Sequence, residues 1–101
     1  MRKIKLGVLI SGGGSNLQAI IDACHQQVLD VEIAIVISSD ATAYGLERAR
    51  LAGIKTLTSR LEGDITSALQ SAQVDYVILA GYLRKIGPEL LAAYPTQILN
   101  I

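Results

Sequence analysis

Apolar and polar positions fall in blocks along this chain. Residues 4–10, IKLGVLI, form a nearly continuous apolar run with β-branched members, the pattern of a strand covered on both faces. Glycines end the run, and Leu17, Ile20, Ile21, Cys24 and Val28 follow at helical spacing. Ser15 and Gln18 open that helix with the three-residue spacing of a capping box. The segment therefore reads strand, loop, helix.

The unit repeats. VEIAIVI at 31–37 reads as a second buried strand, and SSDATAYG supplies polar turn residues before a helix over about 44–52, stopped by Gly53. A short strand is expected at 55–57, and a helix around 65–72 with Ile65, Ala68, Leu69 and Ala72 on its apolar face. DYVILA gives a fourth strand. Pro88 occupies the first position of another helix carrying Leu90, Leu91 and Tyr94, and TQILNI reads as a fifth strand cut off at Ile101. Strands alternating with helices imply a doubly wound, mostly parallel, Rossmann-like α/β sheet, whose ligands sit outside the carboxyl ends of the strands. The expected organisation is one domain, residues 1–101, truncated at its C-terminal end.

Composition narrows the classes. The 101 residues are half apolar, with nine basic and nine acidic side chains and a formal net charge of +0, so no basic stripe points to nucleic acid or an anionic membrane. Cys24 is the single cysteine, which leaves no intrachain disulfide and no thiolate cluster for a metal, and a cytoplasmic setting is expected. The N-terminal apolar run is too short for a signal peptide, and no window reaches the 18 or so apolar residues of a membrane span.

The chemistry gathers at SGGGSN. Gly12, Gly13 and Gly14 let the backbone approach a ligand closely and expose N–H groups at the positive end of a helix, which suits a phosphate. The plainer reading is a tight strand-to-helix turn. A dinucleotide fingerprint places its third glycine where Leu17 stands, although Asp40 lies where a ribose-binding acid is expected. A Walker loop lacks its Gly-Lys-Ser/Thr. The third phosphate reading is a loop for a single phosphomonoester, with Ser15 and Asn16 as side-chain donors.

SGGGSNLQAIIDAC, AYGLERARLAGI, DYVILAGYLRKIGPELL and ILNI together resemble the phosphoribosylglycinamide formyltransferases, folate-dependent enzymes of purine synthesis. The resemblance implies that Gly12, Gly13, Gly14, Ser15 and Asn16 hold the phosphate of glycinamide ribonucleotide. It implies that Leu83, Arg84, Lys85 and Ile86 contact the cosubstrate 10-formyltetrahydrofolate, that Arg60 matches a folate-contacting arginine, and that Asn100 is the catalytic asparagine. Here the connection around Arg60 is shorter than is usual in the family. The family's histidine and aspartate lie beyond the last residue, so little or no turnover is expected of this chain alone.

Other residues have ordinary readings. His25 and Cys24 belong to the first helix, as a surface and a buried-face residue, and no metal site is expected. Glu47, Arg48 and Arg50 read as a solvated helix face. Two rivals remain: a non-catalytic module for a dinucleotide or sugar phosphate, and an interaction module whose glycines merely turn the chain. No nucleic-acid or membrane partner is expected, whereas self-association through surface exposed at the fifth strand is.

Overall fold

Val8, Leu9 and Ile10 expose no surface, because the strand that they form lies in the middle of the sheet. The structure is a computed structural model that describes residues 3–101. Its elements alternate: β1 (Ile4–Ile10), α1 (Ser15–His25), β2 (Val31–Ser38), α2 (Tyr44–Leu51), β3 (Thr56–Thr58), α3 (Glu62–Ser71), β4 (Tyr76–Leu79), α4 (Pro88–Ala93) and β5 (Ile98–Asn100). The sheet order is β3-β2-β1-β4-β5, with every pairing parallel. The chain starts at the centre, winds out through β2 and β3, and crosses β1 to continue through β4 and β5. That reversal is the topological switch point at which ligands bind in such sheets.

Successive residues of β1 point to opposite faces and build two cores. Val8 and Ile10 pack with Leu17 and Ile21 of α1 and Ala49 of α2. Leu9 packs with Ile65 and Leu69 of α3 and with Leu90 and Tyr94, which belong to α4 and its end. Helices thus cover both faces, which is why β1 is apolar at nearly every position.

Several local expectations are corrected. The capping box does not form: α1 is capped by Gly14 at φ 77°, ψ 30°, without any side-chain bond. With the left-handed glycine supplying the entry, Ser15 already lies inside the first turn, and Gln18 donates to the Asp22 carboxylate instead (2.9 Å). Val28 lies outside α1 and is exposed, because Gln27 turns left-handed (φ 60°) and the Val28 N–H closes the helix on the Ala23 carbonyl. Leu91 lies on the outer side of α4 and is about half exposed. β3 runs one residue later than expected and α3 begins earlier, at Glu62.

Candidate functional site

Parallel pairing sets the carboxyl ends of the described strands along one edge of the sheet. In register, Ile10 lies beside Ser38 and Ser38 beside Thr58, while Leu9 lies beside Leu79 and Leu79 beside Asn100. The segments that follow the strands are therefore neighbours: the glycine loop after β1, Asp40 after β2, Arg60 after β3 and Leu83 to Ile86 after β4. Asn100 ends β5, its side chain exposed. Two strand spacings, roughly 10 Å, separate the β5 and β1 backbones.

The glycines of the loop differ in what they do for the fold. Gly14 has a positive φ, and a Cβ on it would come 2.8 Å from the Gly45 Cα, so the fold itself requires glycine there. A Cβ on Gly12 or Gly13 would meet nothing within 4 Å. Packing thus leaves room for side chains at both positions, and neither carries one. Among the described residues, no hydrogen bond is made by the N–H groups of Gly12, Gly13, Gly14, Ser15, Asn16 or Leu17, and the first N–H of α1 to be satisfied is that of Gln18, on the Gly14 carbonyl (2.8 Å). The result is an exposed, backbone-only donor surface at the positive end of α1.

The residues expected on the folate side converge. Arg60, Leu83, Arg84, Lys85 and Ile86 all line one cleft of about 430 Å³, together with Tyr82 and Glu62. Asn100 is not part of its lining. Burial pushes the Tyr82 phenol above its ordinary range, partly offset by the charge of Arg84. Glu62 accepts from the Leu90 N–H (2.7 Å), which ties the start of α4 to the wall of the cleft.

Hydroxyls join the cleft to the glycine loop. Ser11, the residue before Gly12, accepts from the Leu83 N–H (2.9 Å) and shares a hydrogen bond with the Ser39 hydroxyl (2.7 Å). The Ser39 carbonyl accepts from Arg60 Nε (2.9 Å), so Arg60 and Leu83 are both anchored to the strand ends beside the loop. Arg60 is thereby held at the cleft despite the short connection that carries it.

Sequence reasoning missed Tyr82 and Glu62 of the cleft, and around the loop it missed Ser11, Ser39, Arg48 and Gly45. Ser11 and Ser39 look like ordinary strand-end residues, and only the strand order shows that they meet. Arg48 does not belong to the solvated face assigned to it: its Nε donates to the Gly13 carbonyl (2.7 Å) and Nη1 to Gln18 Oε1 (3.2 Å). Glu47 and Arg50 do lie on the solvated face expected of them, where they pair with each other (2.8 Å). Gly45 lies against the loop, where a Cβ would collide with Ile10 Cδ1 and sit 3.2 Å from the Gly12 carbonyl oxygen. A glycine in the first turn of a helix was the available signal for that contact. Asp40, which lies where a ribose-binding acid is expected, braces its own turn: its Oδ1 takes the Thr42 N–H (2.8 Å) and hydroxyl (2.7 Å), bonds that lower its pKa.

Residues 4–101 match the family model described as formyl transferase. The chain belongs to the formyl transferase family. Similar proteins include the phosphoribosylglycinamide formyltransferase of Haemophilus influenzae, 46% identical over 106 residues, a match covering 96% of this chain and 50% of that protein. The Escherichia coli phosphoribosylglycinamide formyltransferase is 41% identical over 103 residues, covering 93% and 49%. Among solved structures, glycinamide ribonucleotide transformylase 1 from Symbiobacterium toebii superposes with a TM-score of 0.93 at 46% identity, covering 97% of this chain and 50% of that one. The chain thus spans about half the length of these members of the family. Among the described residues no helix is long and apolar enough to cross a membrane, and no group of three or more His, Cys, Asp and Glu residues could hold a metal ion.

Proposed function

We propose that this chain forms the ribonucleotide-binding part of a glycinamide ribonucleotide formyltransferase, in which a formyl group passes from 10-formyltetrahydrofolate to the amine of glycinamide ribonucleotide. The observation that carries the reading is the pair Gly12 and Gly13, which the packing does not require to be glycine, beside a run of backbone N–H groups with no partner among the described residues. A phosphomonoester accounts for both features, since it needs close backbone approach and several N–H donors. Ser15 and Asn16, exposed in the first turn of α1, add side-chain donors.

The cleft fits the cosubstrate. Tyr82, Leu83 and Ile86 offer apolar surface for a flat ring system, and Arg60, Arg84 and Lys85 offer cations for an acidic tail. When bound, the folate supplies the formyl group. Negative charge that develops on the formyl oxygen needs a donor placed to receive it, and the neutral amide of Asn100, on the same edge of the sheet, provides an N–H independent of pH. An amide cannot take up the amine's proton, and His25, at the far end of α1, is in no position to do so.

A dinucleotide site is disfavoured by Leu17, which is wholly buried in the core beneath the loop where close helix packing asks for glycine or alanine. Calorimetric titration of the 101-residue chain with glycinamide ribonucleotide, and with NAD in parallel, tests the reading. Preferential binding of the ribonucleotide is expected. Equal or stronger binding of NAD would overturn it.

The open edge of β5, where Leu99 and Ile101 are exposed, is the surface through which two copies would associate. Sedimentation over a range of concentrations reads this, and a monomer at every concentration contradicts it.

A further inference from the structure

We infer that α2 acts as a clamp on the glycine loop and that Arg48 is the positioning residue that keeps the loop's N–H groups turned toward a bound phosphate; this rests on the phosphate-loop reading. The Gly12 carbonyl is held by the Gly45 N–H (3.1 Å), and the Gly13 carbonyl by Arg48 Nε (2.7 Å). No peptide of the described chain is cis, so in each of these planar units the N–H points opposite to the carbonyl. With both carbonyls drawn to α2, the N–H groups of Gly13 and Gly14 face away from it, on the open side of the loop.

Left to itself, this arrangement would not be unique. Between glycines a peptide unit can rotate at little steric cost, and a rotated Gly13–Gly14 unit would present its carbonyl oxygen to the anion instead of its N–H. The Gly45 contact is made by backbone and is fixed by the fold. The Gly13 contact depends on one side chain, and that side chain is itself held in place: Nη1 of Arg48 bonds Gln18 Oε1 (3.2 Å) and the guanidinium lies over the Tyr44 ring, 5.0 Å from its centroid. A planar fork can serve Gly13 and Gln18 together while stacking on an aromatic face, whereas a lysine offers a single point of donation. The same charge, lying on the carbonyl side of the loop, adds to the field that favours an anion on the other.

The test uses Arg48→Met, Arg48→Lys and, because the first could fail to fold, Gln18→Leu, which removes the second anchor of the guanidinium along with the exposed bond from Gln18 to Asp22. Each is titrated with glycinamide ribonucleotide and with the dephosphorylated riboside, and the amide resonances of Gly13 and Gly14 are recorded without ligand. Arg48→Met is expected to weaken ribonucleotide binding about tenfold, as loss of one charge-assisted hydrogen bond would, while leaving the riboside unchanged. Both glycine amides should shift or broaden, with smaller changes in the other two variants. Ribonucleotide binding by folded Arg48→Met within about twofold of the unsubstituted chain, or unmoved glycine amides, overturns the clamp while the loop reading stands. If the unsubstituted chain itself fails to distinguish ribonucleotide from riboside, the loop reading falls and the clamp with it.

Discussion

Glycine is used in two ways within a few residues. At Gly14 and Gly45 it is a requirement of packing, because α2 meets the loop backbone there with no room for a Cβ, whereas at Gly12 and Gly13 the fold leaves room that it does not use. Substitution should separate the two. Gly45→Ala is expected to cost about 1–3 kcal/mol of stability, the usual result of forcing a methyl group into a packed contact, and to weaken phosphate-ester binding by pushing α2 off the loop. Gly12→Ala should leave stability within about 0.5 kcal/mol, as surface substitutions away from special features do, and still weaken binding, since the methyl group occupies the ligand's approach. Thermal melts and titrations of both variants check this, and a Gly12→Ala variant that binds normally would contradict it.

At the scale of elements, the carboxyl edge of the sheet is held together by side chains that tie one segment to the next. Ser11 joins the end of β1 to Leu83 beyond β4, Ser39 joins β2 to Arg60 beyond β3, and Glu62 at the start of α3 accepts from the Leu90 N–H in the first turn of α4. Glu62 also packs against Gly87, the residue that precedes α4, where a Cβ would collide with its carboxylate. Glu62→Ala is therefore expected to destabilise by about 0.5–2 kcal/mol, the range for loss of a helix-start acceptor, with the effect on ligands confined to the cleft. Retention of full stability would show that α4 does not depend on this tie. The elements themselves were legible in the sequence because their buried positions are apolar in runs or at helical spacing. The ties were not, because Ser11 and Ser39 are 28 residues apart and meet only once β1 and β2 pair. Arg48 was misread for a related reason. Its helix shows an ordinary charged face, and only the closeness of Gly45 to the loop brings that face to the Gly13 carbonyl.

At the scale of the whole molecule, the structure sets a pH limit on stability and poses a choice between two anion sites. Burial pushes the Cys24 thiol above its ordinary value of 9.0 and the Tyr82 and Tyr94 phenols above 10.0. The unfolded chain gives up these protons first, so stability should fall as pH rises past about 9 and go on falling until the higher folded-state values are reached. Denaturant melts between pH 7 and 11 read this, and Tyr82→Phe with Tyr94→Phe should reduce the slope; a flat profile for the unsubstituted chain would contradict it. The choice of anion site is sharper. Counted by charge alone, the cleft with Arg60, Arg84 and Lys85 is the stronger candidate for a phosphate, whereas the loop offers oriented N–H groups and a nearby guanidinium already bonded to a carbonyl. Geometry favours the loop, because a phosphate needs several convergent donors and the glycines leave it room. The most direct measurement is a crystal structure of this chain with glycinamide ribonucleotide. The phosphate is expected within hydrogen-bond distance of the N–H groups of Gly13, Gly14, Ser15 and Asn16, with the glycinamide directed toward the β4 and β5 ends; a phosphate seated against Arg60 and Arg84 in the cleft would contradict the loop as the phosphate site.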